Sequence, residues 1–171
     1  MENNIKIIEG NVLTQGADVI AHQVNCQGVM GAGLALQIRT LYPLVYKAYQ
    51  KICTDYNSKE LLGNIQFISI PVIRTHIING HVDVGTEYKY FVNLFAQEFY
   101  GRVRRYTDYE ALTKCLTSLR DRMITKNLTT LALPYGLGCG LAGGDWKIVY
   151  EIIRDVFTPV SNEITVYICK I

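Results

Sequence analysis

Two short glycine-rich segments carry the clearest chemical signal in this sequence. Gly28, Gly31 and Gly33 fall in one, and Gly136, Gly138, Gly140, Gly143 and Gly144 in the other, so eight of the 14 glycines occupy two brief stretches. Each segment follows an apolar run of strand character and leads into a run of helical periodicity. There, bare backbone amides and a helix N-terminus face the same way, and such a nest of N–H groups holds an anion. Two nests facing each other suit a diphosphate gripped from both sides. Glycine also serves tight strand-to-helix turns, which accounts for either loop alone but not for the pair. The fingerprints of the common nucleotide sites are missing. Met30-Gly31-Ala32-Gly33-Leu34-Ala35 echoes the dinucleotide pattern G-x-G-x-x-G/A, yet its third position is Leu36 and no acidic residue ends a strand about twenty residues later. Neither loop has the G-K-[ST] that holds a triphosphate and magnesium.

Among titratable residues His22 stands out, because it lies in the run before the first glycine loop, close to Asn25. With an ordinary pKa near 6.5, an imidazole there serves as general acid or base, and Asp108 is a weaker candidate partner. Cys139 sits within the second glycine loop, where surrounding amides would lower a thiol pKa, although no base to activate it is evident. The five cysteines (Cys26, Cys53, Cys115, Cys139, Cys169) are odd in number and never spaced C-x-x-C, and the three histidines show no H-E-x-x-H pattern. Neither a disulfide framework nor a metal is expected, and no cofactor. His76 and His81 flank Asn79-Gly80, a pair that favours a tight hairpin turn, within the alternating stretch Val72 to Val84.

The elements that must position these residues follow from periodicity. Runs at Ile5 to Glu9, Val19 to Val24, Ile65 to Val72, Tyr90 to Phe95, Thr130 to Leu133 and Ile164 to Cys169 are rich in Val, Ile, Phe and Tyr and read as strands. Leu112, Leu116, Leu119 and Met123 share one helical face, as do Trp146, Val149, Tyr150, Ile153 and Phe157. Thr107 or Asp108 before the first and Asp145 before the second are placed to cap free first-turn amides. A third helical region, Leu34 to Tyr56, is interrupted at Pro43. Alternating strands and helices imply a mixed α/β sheet with helices on both faces.

Composition bounds the rest. Seventeen basic against 15 acidic residues give a net charge of +2, too mild for a protein that binds nucleic acid by counter-ion release. Hydrophobic residues at 49% and charged ones at 19% describe a chain that buries a core, and 171 residues suit one domain spanning 1–171. No apolar run reaches the roughly 18 residues of a membrane helix, and the start MENNIKIIEGN lacks the basic and apolar regions of a signal peptide, so a cytoplasmic monomer with no membrane partner is expected. Arg102, Arg104 and Arg105, beside Phe99, Tyr100 and Tyr106, read as a solvated loop.

Three segments together carry a family resemblance: Glu9-Gly10-Asn11-Val12-Leu13; Ala21-His22-Gln23-Val24-Asn25 followed by the first glycine loop; and Leu133-Pro134-Tyr135-Gly136-Leu137-Gly138-Cys139-Gly140-Leu141. Over its whole length the chain resembles a macro domain, an α/β/α three-layer fold that binds ADP-ribose. It is most similar to the branch of terminal ADP-ribose glycohydrolases, antitoxins that remove ADP-ribose from DNA, and the yeast-type ADP-ribose 1″-phosphate phosphatase. The resemblance implies that Asn11, with Val12 beside it, meets the adenine amino group, that Tyr167 lies against the adenine ring, and that Asn25 contacts the distal ribose. It further implies that Gly31, Ala32 and Gly33 form the first phosphate loop, and that Gly136, Leu137, Gly138, Cys139 and Gly140, introduced by Pro134, form the second.

Two departures limit the chemistry that the resemblance implies. Gln97 fills the place of the catalytic lysine of the glycohydrolases and antitoxins, and Ala142 that of an acidic residue after the G-C-G-L motif. Without the amine, a covalent route through the anomeric carbon has no nucleophile. His22 matches a histidine of the phosphatase branch. The expected ligand is therefore ADP-ribose or a 1″-substituted derivative, with nucleic acid entering only as an ADP-ribosylated substrate. The expected activity is hydrolysis at the distal ribose by a water held near Asn25 and His22, as in an ADP-ribose 1″-phosphate phosphatase or ADP-ribosyl ester hydrolase. A non-catalytic module that reads or sequesters ADP-ribose derivatives is the alternative.

Overall fold

The computed structural model describes residues 3–171. Its strands are β1 (Ile5–Glu9), β2 (Val19–Asn25), β3 (Ile65–Ile78), β4 (His81–Gln97), β5 (Thr130–Pro134) and β6 (Thr165–Lys170). They form one six-stranded sheet in the order β1-β6-β5-β2-β4-β3. Every neighbouring pair is parallel except β3 with β4, which is antiparallel. The helices are α1 (Gly33–Leu41), α2 (Pro43–Asp55), α3 (Ser58–Leu61), α4 (Tyr109–Thr125) and α5 (Trp146–Phe157).

Helices cover both faces of the sheet, as the alternation of elements requires. On one face, Leu112, Leu116 and Leu119 of α4 and Val149, Ile153 and Phe157 of α5 pack with Val19, Ala21, Val92, Leu94, Leu131 and Val166. On the other, Ile38 of α1 and Val45 of α2 pack against Ile20, Phe91, Ala132 and Cys169, while Tyr49 joins Val24 and Phe95. β2 lies between β5 and β4 with both faces covered, so its residues are buried almost without interruption, His22 and Asn25 included, rather than in alternation. Among the described residues no helix is long and apolar enough to cross a membrane.

Local chemistry sets the boundaries. Pro43 has no amide hydrogen and stands at the first turn of α2, so the chain breaks at Tyr42 into two helices as its position predicted. Asp108 caps α4 by accepting from the Ala111 amide, and Asp145 caps α5 by accepting from Lys147. The short α3 escaped periodicity analysis, but Asn57 and Glu60 close a reciprocal capping box around it. The strands read as Ile65 to Val72 and Tyr90 to Phe95 are both longer, because the hairpin at Asn79-Gly80 continues them. Asn79 and Gly80 both take positive φ (51° and 79°), the conformation of a tight two-residue turn matched to strand twist.

Candidate functional site

Parallel strands deliver their following loops to one edge of the sheet, and in open α/β folds ligands collect outside those carboxyl ends. Two clefts lie there. One, of about 320 Å³, is lined by Asn11, Val12, Leu34, Gln37, Pro134, Tyr135 and the chain end Cys169 to Ile171. The other, of about 630 Å³, is lined by the loops that follow β2 and β5 together with Gln97 and Tyr100 to Arg102. Leu34, Pro134 and Tyr135 line both, so the clefts meet. Their combined extent fits an elongated organic ligand.

The walls of the larger cleft are backbone. In the second glycine loop the amides of Leu137, Cys139, Gly143 and Gly144 turn inward to the carbonyls of Pro134, Gly136, Gly140 and Gly138. The alternating amides of Gly136, Gly138 and Gly140 have no acceptor among the described residues. Opposite them, α1 begins at Gly33 without a side-chain cap, since Ala32 at its N-cap offers no oxygen. Capped helices α4 and α5 spend their aspartates on first-turn amides; α1 leaves its amides and the positive end of its dipole to the cleft that Gly31, Ala32 and Gly33 line. Two rows of unspent donors therefore face one groove, the arrangement expected from the clustered glycines.

Asn25 holds the first loop together. Its Nδ2 donates to the Val29 carbonyl at 2.7 Å, and its Oδ1 accepts from the Gln27 amide at 2.9 Å and the Tyr49 hydroxyl at 2.8 Å. Asn25 lines the larger cleft, yet its oxygen is fully engaged, and only the second Nδ2 hydrogen is left for a ligand. Asn11 is less committed: its Oδ1 accepts from the Leu13 amide at 2.9 Å, which leaves one lone pair and both Nδ2 hydrogens for a ligand.

His22 is the floor of the larger cleft and almost wholly buried. Its Nε2 lies 2.6 Å from Asn93 Oδ1 on β4, its register partner. Asn93 Nδ2 donates to Gln66 Oε1 on β3, and Gln66 Nε2 donates to the Ala48 carbonyl of α2. A backbone carbonyl can only accept, so the direction of the whole chain is fixed. His22 must donate from Nε2 and keep a lone pair on Nδ1. Burial drives the pKa of His22 down to about 4 against the opposing Asn93 hydrogen bond, so the ring is neutral near pH 7. The near-neutral titration expected of His22 from the sequence is thus shifted well below its ordinary value, and the ring has no proton to give from Nδ1 at that pH.

Gln97 anchors a second polar network. It donates from Nε2 to the Phe99 carbonyl and accepts from Gln23 Nε2, which also donates to Thr107 Oγ1. Thr107 in turn donates to the Gly138 carbonyl, tying the second glycine loop to β2 and β4. Both hydrogens of the Gln23 amide are used, and its oxygen is buried without a partner.

Three expected site residues lie outside both clefts. Cys139 does not line either cleft, and burial together with Asp145 pushes its thiol up to about 11, opposite to the activation expected from neighbouring amides. Tyr167 lines neither cleft; it is partly buried against the core of the α1 and α2 face, two residues along β6 from Cys169, which does reach the smaller cleft. Asp108 is consumed as the α4 cap and also stays out of both clefts, so the structure does not bring it together with His22. Asn11, Val12, His22, Asn25, Gly31, Ala32, Gly33, Pro134, Gly136, Leu137, Gly138 and Gly140 all line one cleft or both.

Sequence reasoning missed Tyr135 and Arg102. Tyr135 joins the two clefts, with its ring 4.6 Å from that of Trp146 and the Lys170 ammonium 4.9 Å from its centre. An aromatic directly before the glycine run was the available signal. Arg102, read as part of a solvated loop, lines the larger cleft, whereas Arg104 and Arg105 lie over the rings of Tyr106 and Tyr109.

The macro domain family model matches residues 21–153, and the chain belongs to that family. A DNA ADP-ribosyl glycohydrolase of Mycobacterium tuberculosis is 26% identical over 154 residues, covering 90% of this chain and 38% of the relative. An ADP-ribose 1″-phosphate phosphatase of Debaryomyces hansenii is 29% identical over 182 residues, covering 96% of this chain and 98% of the relative. The solved macrodomain of Mycobacterium tuberculosis DarG superposes with a TM-score of 0.76 at 24% identity, covering 96% of each chain, which shows the shared fold. The chain spans about 38% of the length of the mycobacterial relatives it matches.

Proposed function

We propose that the protein binds ADP-ribose derivatives substituted at C1″ and hydrolyses the substituent, as an ADP-ribose 1″-phosphate phosphatase or an ADP-ribosyl ester hydrolase. The observation that carries this reading is the groove in which the amides of Gly136, Gly138 and Gly140 face the uncapped start of α1. A diphosphate across the groove places adenosine in the smaller cleft, over Tyr135, and the distal ribose in the larger one. The names of the glycohydrolase and phosphatase relatives support the same ligand. His22, with its Nδ1 lone pair kept free by the Asn93 and Gln66 chain, is the group that accepts a hydrogen bond from an attacking water. Arg102 in the lining of that cleft supplies the positive charge that suits a 1″-phosphate.

One observation favours a second reading, a reader or sequestering module without turnover: no carboxylate, amine or thiol lines the larger cleft among the described residues. Incubation with ADP-ribose 1″-phosphate, with released phosphate followed beside a calorimetric titration of ADP-ribose, separates the two. Binding with phosphate release supports the hydrolase, binding without it the reader, and absence of binding removes both.

A further inference from the structure

The hairpin of β3 and β4 leaves the body of the sheet. β2 begins at Val19, opposite Tyr90, so β4 from His81 to Lys89 has only β3 beside it. At about 3.3 Å per residue this ribbon extends roughly 30 Å. It leaves from the amino-terminal side of β4, the end opposite the clefts.

Its two faces differ in kind. The cross-strand pairs Arg74 with Gly85 and His76 with Asp83 lie on one face, where Arg74 also bonds Glu87 at 3.2 Å. The other face carries Ile73, Ile77, Val82, Val84 and Tyr88, interleaved with Thr75 and Thr86 and bearing no charge. These five apolar side chains are 57% (Tyr88) to 78% (Ile77) exposed.

The apolar face continues the surface that α4 and α5 cover elsewhere. Phe67 and Tyr90 are its last sheltered residues, packed at the margin of that core, with Lys126 beyond the end of α4 over both rings. Beyond Tyr90 towards the hairpin turn no helix among the described residues covers this face, and the apolar stripe runs on bare. A two-stranded ribbon in water is marginal by itself and gains stability when one face is covered.

We infer that a second copy of this chain covers it, two ribbons packing apolar face to apolar face as a small β-sandwich. Together the five side chains and their threonine neighbours expose at most roughly 700 Å² per copy, so full coverage by a second copy would bury up to about 1,400 Å², which reaches the 1,200–2,000 Å² of a standard stable interface. The face is uncharged and β-branched on both strands, hence complementary to itself under a two-fold axis, and a net charge of +2 adds little repulsion between copies. A dimer replaces the monomer expected from the sequence, and both clefts stay open in it.

Light scattering behind size exclusion, between about 1 and 100 µM chain, tests this. The expected result is a mass of twice 19.3 kDa at the upper concentrations. Ile77→Glu with Val84→Glu should raise the dimer dissociation constant at least 100-fold while leaving the circular dichroism spectrum and ADP-ribose affinity unchanged. Arg74→Ala with His76→Ala, on the opposite face, should leave the dimer intact. A monomer throughout the range, a dimer that survives the double glutamate variant, or a monomer that instead binds phospholipid vesicles through this face overturns the proposal.

Discussion

At the scale of single residues, chemical type and chemical state separate. His22 was recognisable by type, but its neutrality comes from burial beneath the cleft, which outweighs the Asn93 hydrogen bond, and its tautomer from a hydrogen-bond chain that ends on the Ala48 carbonyl. Its folded pKa of about 4 lies below the ordinary 6.5, so the unfolded chain binds more protons between those values. The stability contributed by neutral His22 is therefore whole above pH 6.5 and falls as acidity increases towards pH 4, by up to about 3 kcal/mol. Denaturant unfolding from pH 7.5 to 4 should show this slope, and His22→Gln, which keeps a donor for Asn93, should flatten it. Tyr135 and Tyr167 make a second contrast. Tyr135→Ala should weaken ADP-ribose binding by about 1–3 kcal/mol with little change in melting temperature if adenosine occupies the smaller cleft as proposed, because its ring lines both clefts. Tyr167→Ala should lower the melting temperature first, since that ring packs with the core; equal behaviour of the two variants would undo the assignment of the adenine side. Gln97 offers no amine, so the protein should release no ADP-ribose from ADP-ribosylated thymidine in DNA. Robust release in a chromatographic assay would show that another residue forms the adduct.

At the scale of elements, the glycine loops have unequal tolerance for side chains. A Cβ on Gly138 would stand 2.5 Å from Gln23 Oε1 and 3.0 Å from Thr107 Oγ1, on a backbone of positive φ (70°). Any substitution there disturbs the Gln23 and Thr107 network as well as the groove, so a lost affinity would have two causes. At Gly140 a Cβ would meet nothing within 4 Å and the φ is not positive, which makes it the cleaner probe. Gly140→Glu should reduce ADP-ribose affinity at least 100-fold, about 3 kcal/mol, through like-charge repulsion of the diphosphate, with the fold retained. Isothermal titration together with a melting curve checks both halves, and unchanged affinity would reduce the second loop to a turn.

For the whole molecule, the ligand reports on the assembly of both clefts at once. A ligand that binds only the folded state stabilises it by about 2.7 kcal/mol at 100 times its dissociation constant, which for a domain of this size is roughly 5–10 °C in melting temperature. ADP-ribose should produce a shift of that order, and ADP, which cannot fill the distal part of the larger cleft, a smaller one at equal concentration. Equal shifts would mean that the distal ribose makes no contact. The polar chain from His22 through Asn93 and Gln66 joins β2, β4, β3 and α2, so the floor of the site is braced by the sheet rather than by the loops above it.

The sequence by itself determined the six strands and the longer helices, though not α3 or the full length of β3 and β4, because period two and period 3.6 are properties of neighbouring residues. It also determined the cap Asp145, the break at Pro43, the turn at Asn79-Gly80 and the two glycine loops, all of which act within a few residues, and it narrowed the α4 cap to Thr107 or Asp108, of which the structure uses Asp108. Membership in the macro domain family was legible from three short motifs in order. Only the tertiary structure decided that Tyr167 is partly buried against the α1 and α2 face while Tyr135 lines both clefts, because the covering of β6 depends on which helices pack over it. Burial and partners likewise decided that Cys139 is a raised-pKa thiol and His22 a neutral ring. Both outcomes depend on desolvation, and desolvation is the sum of contacts between residues that the chain brings together from afar.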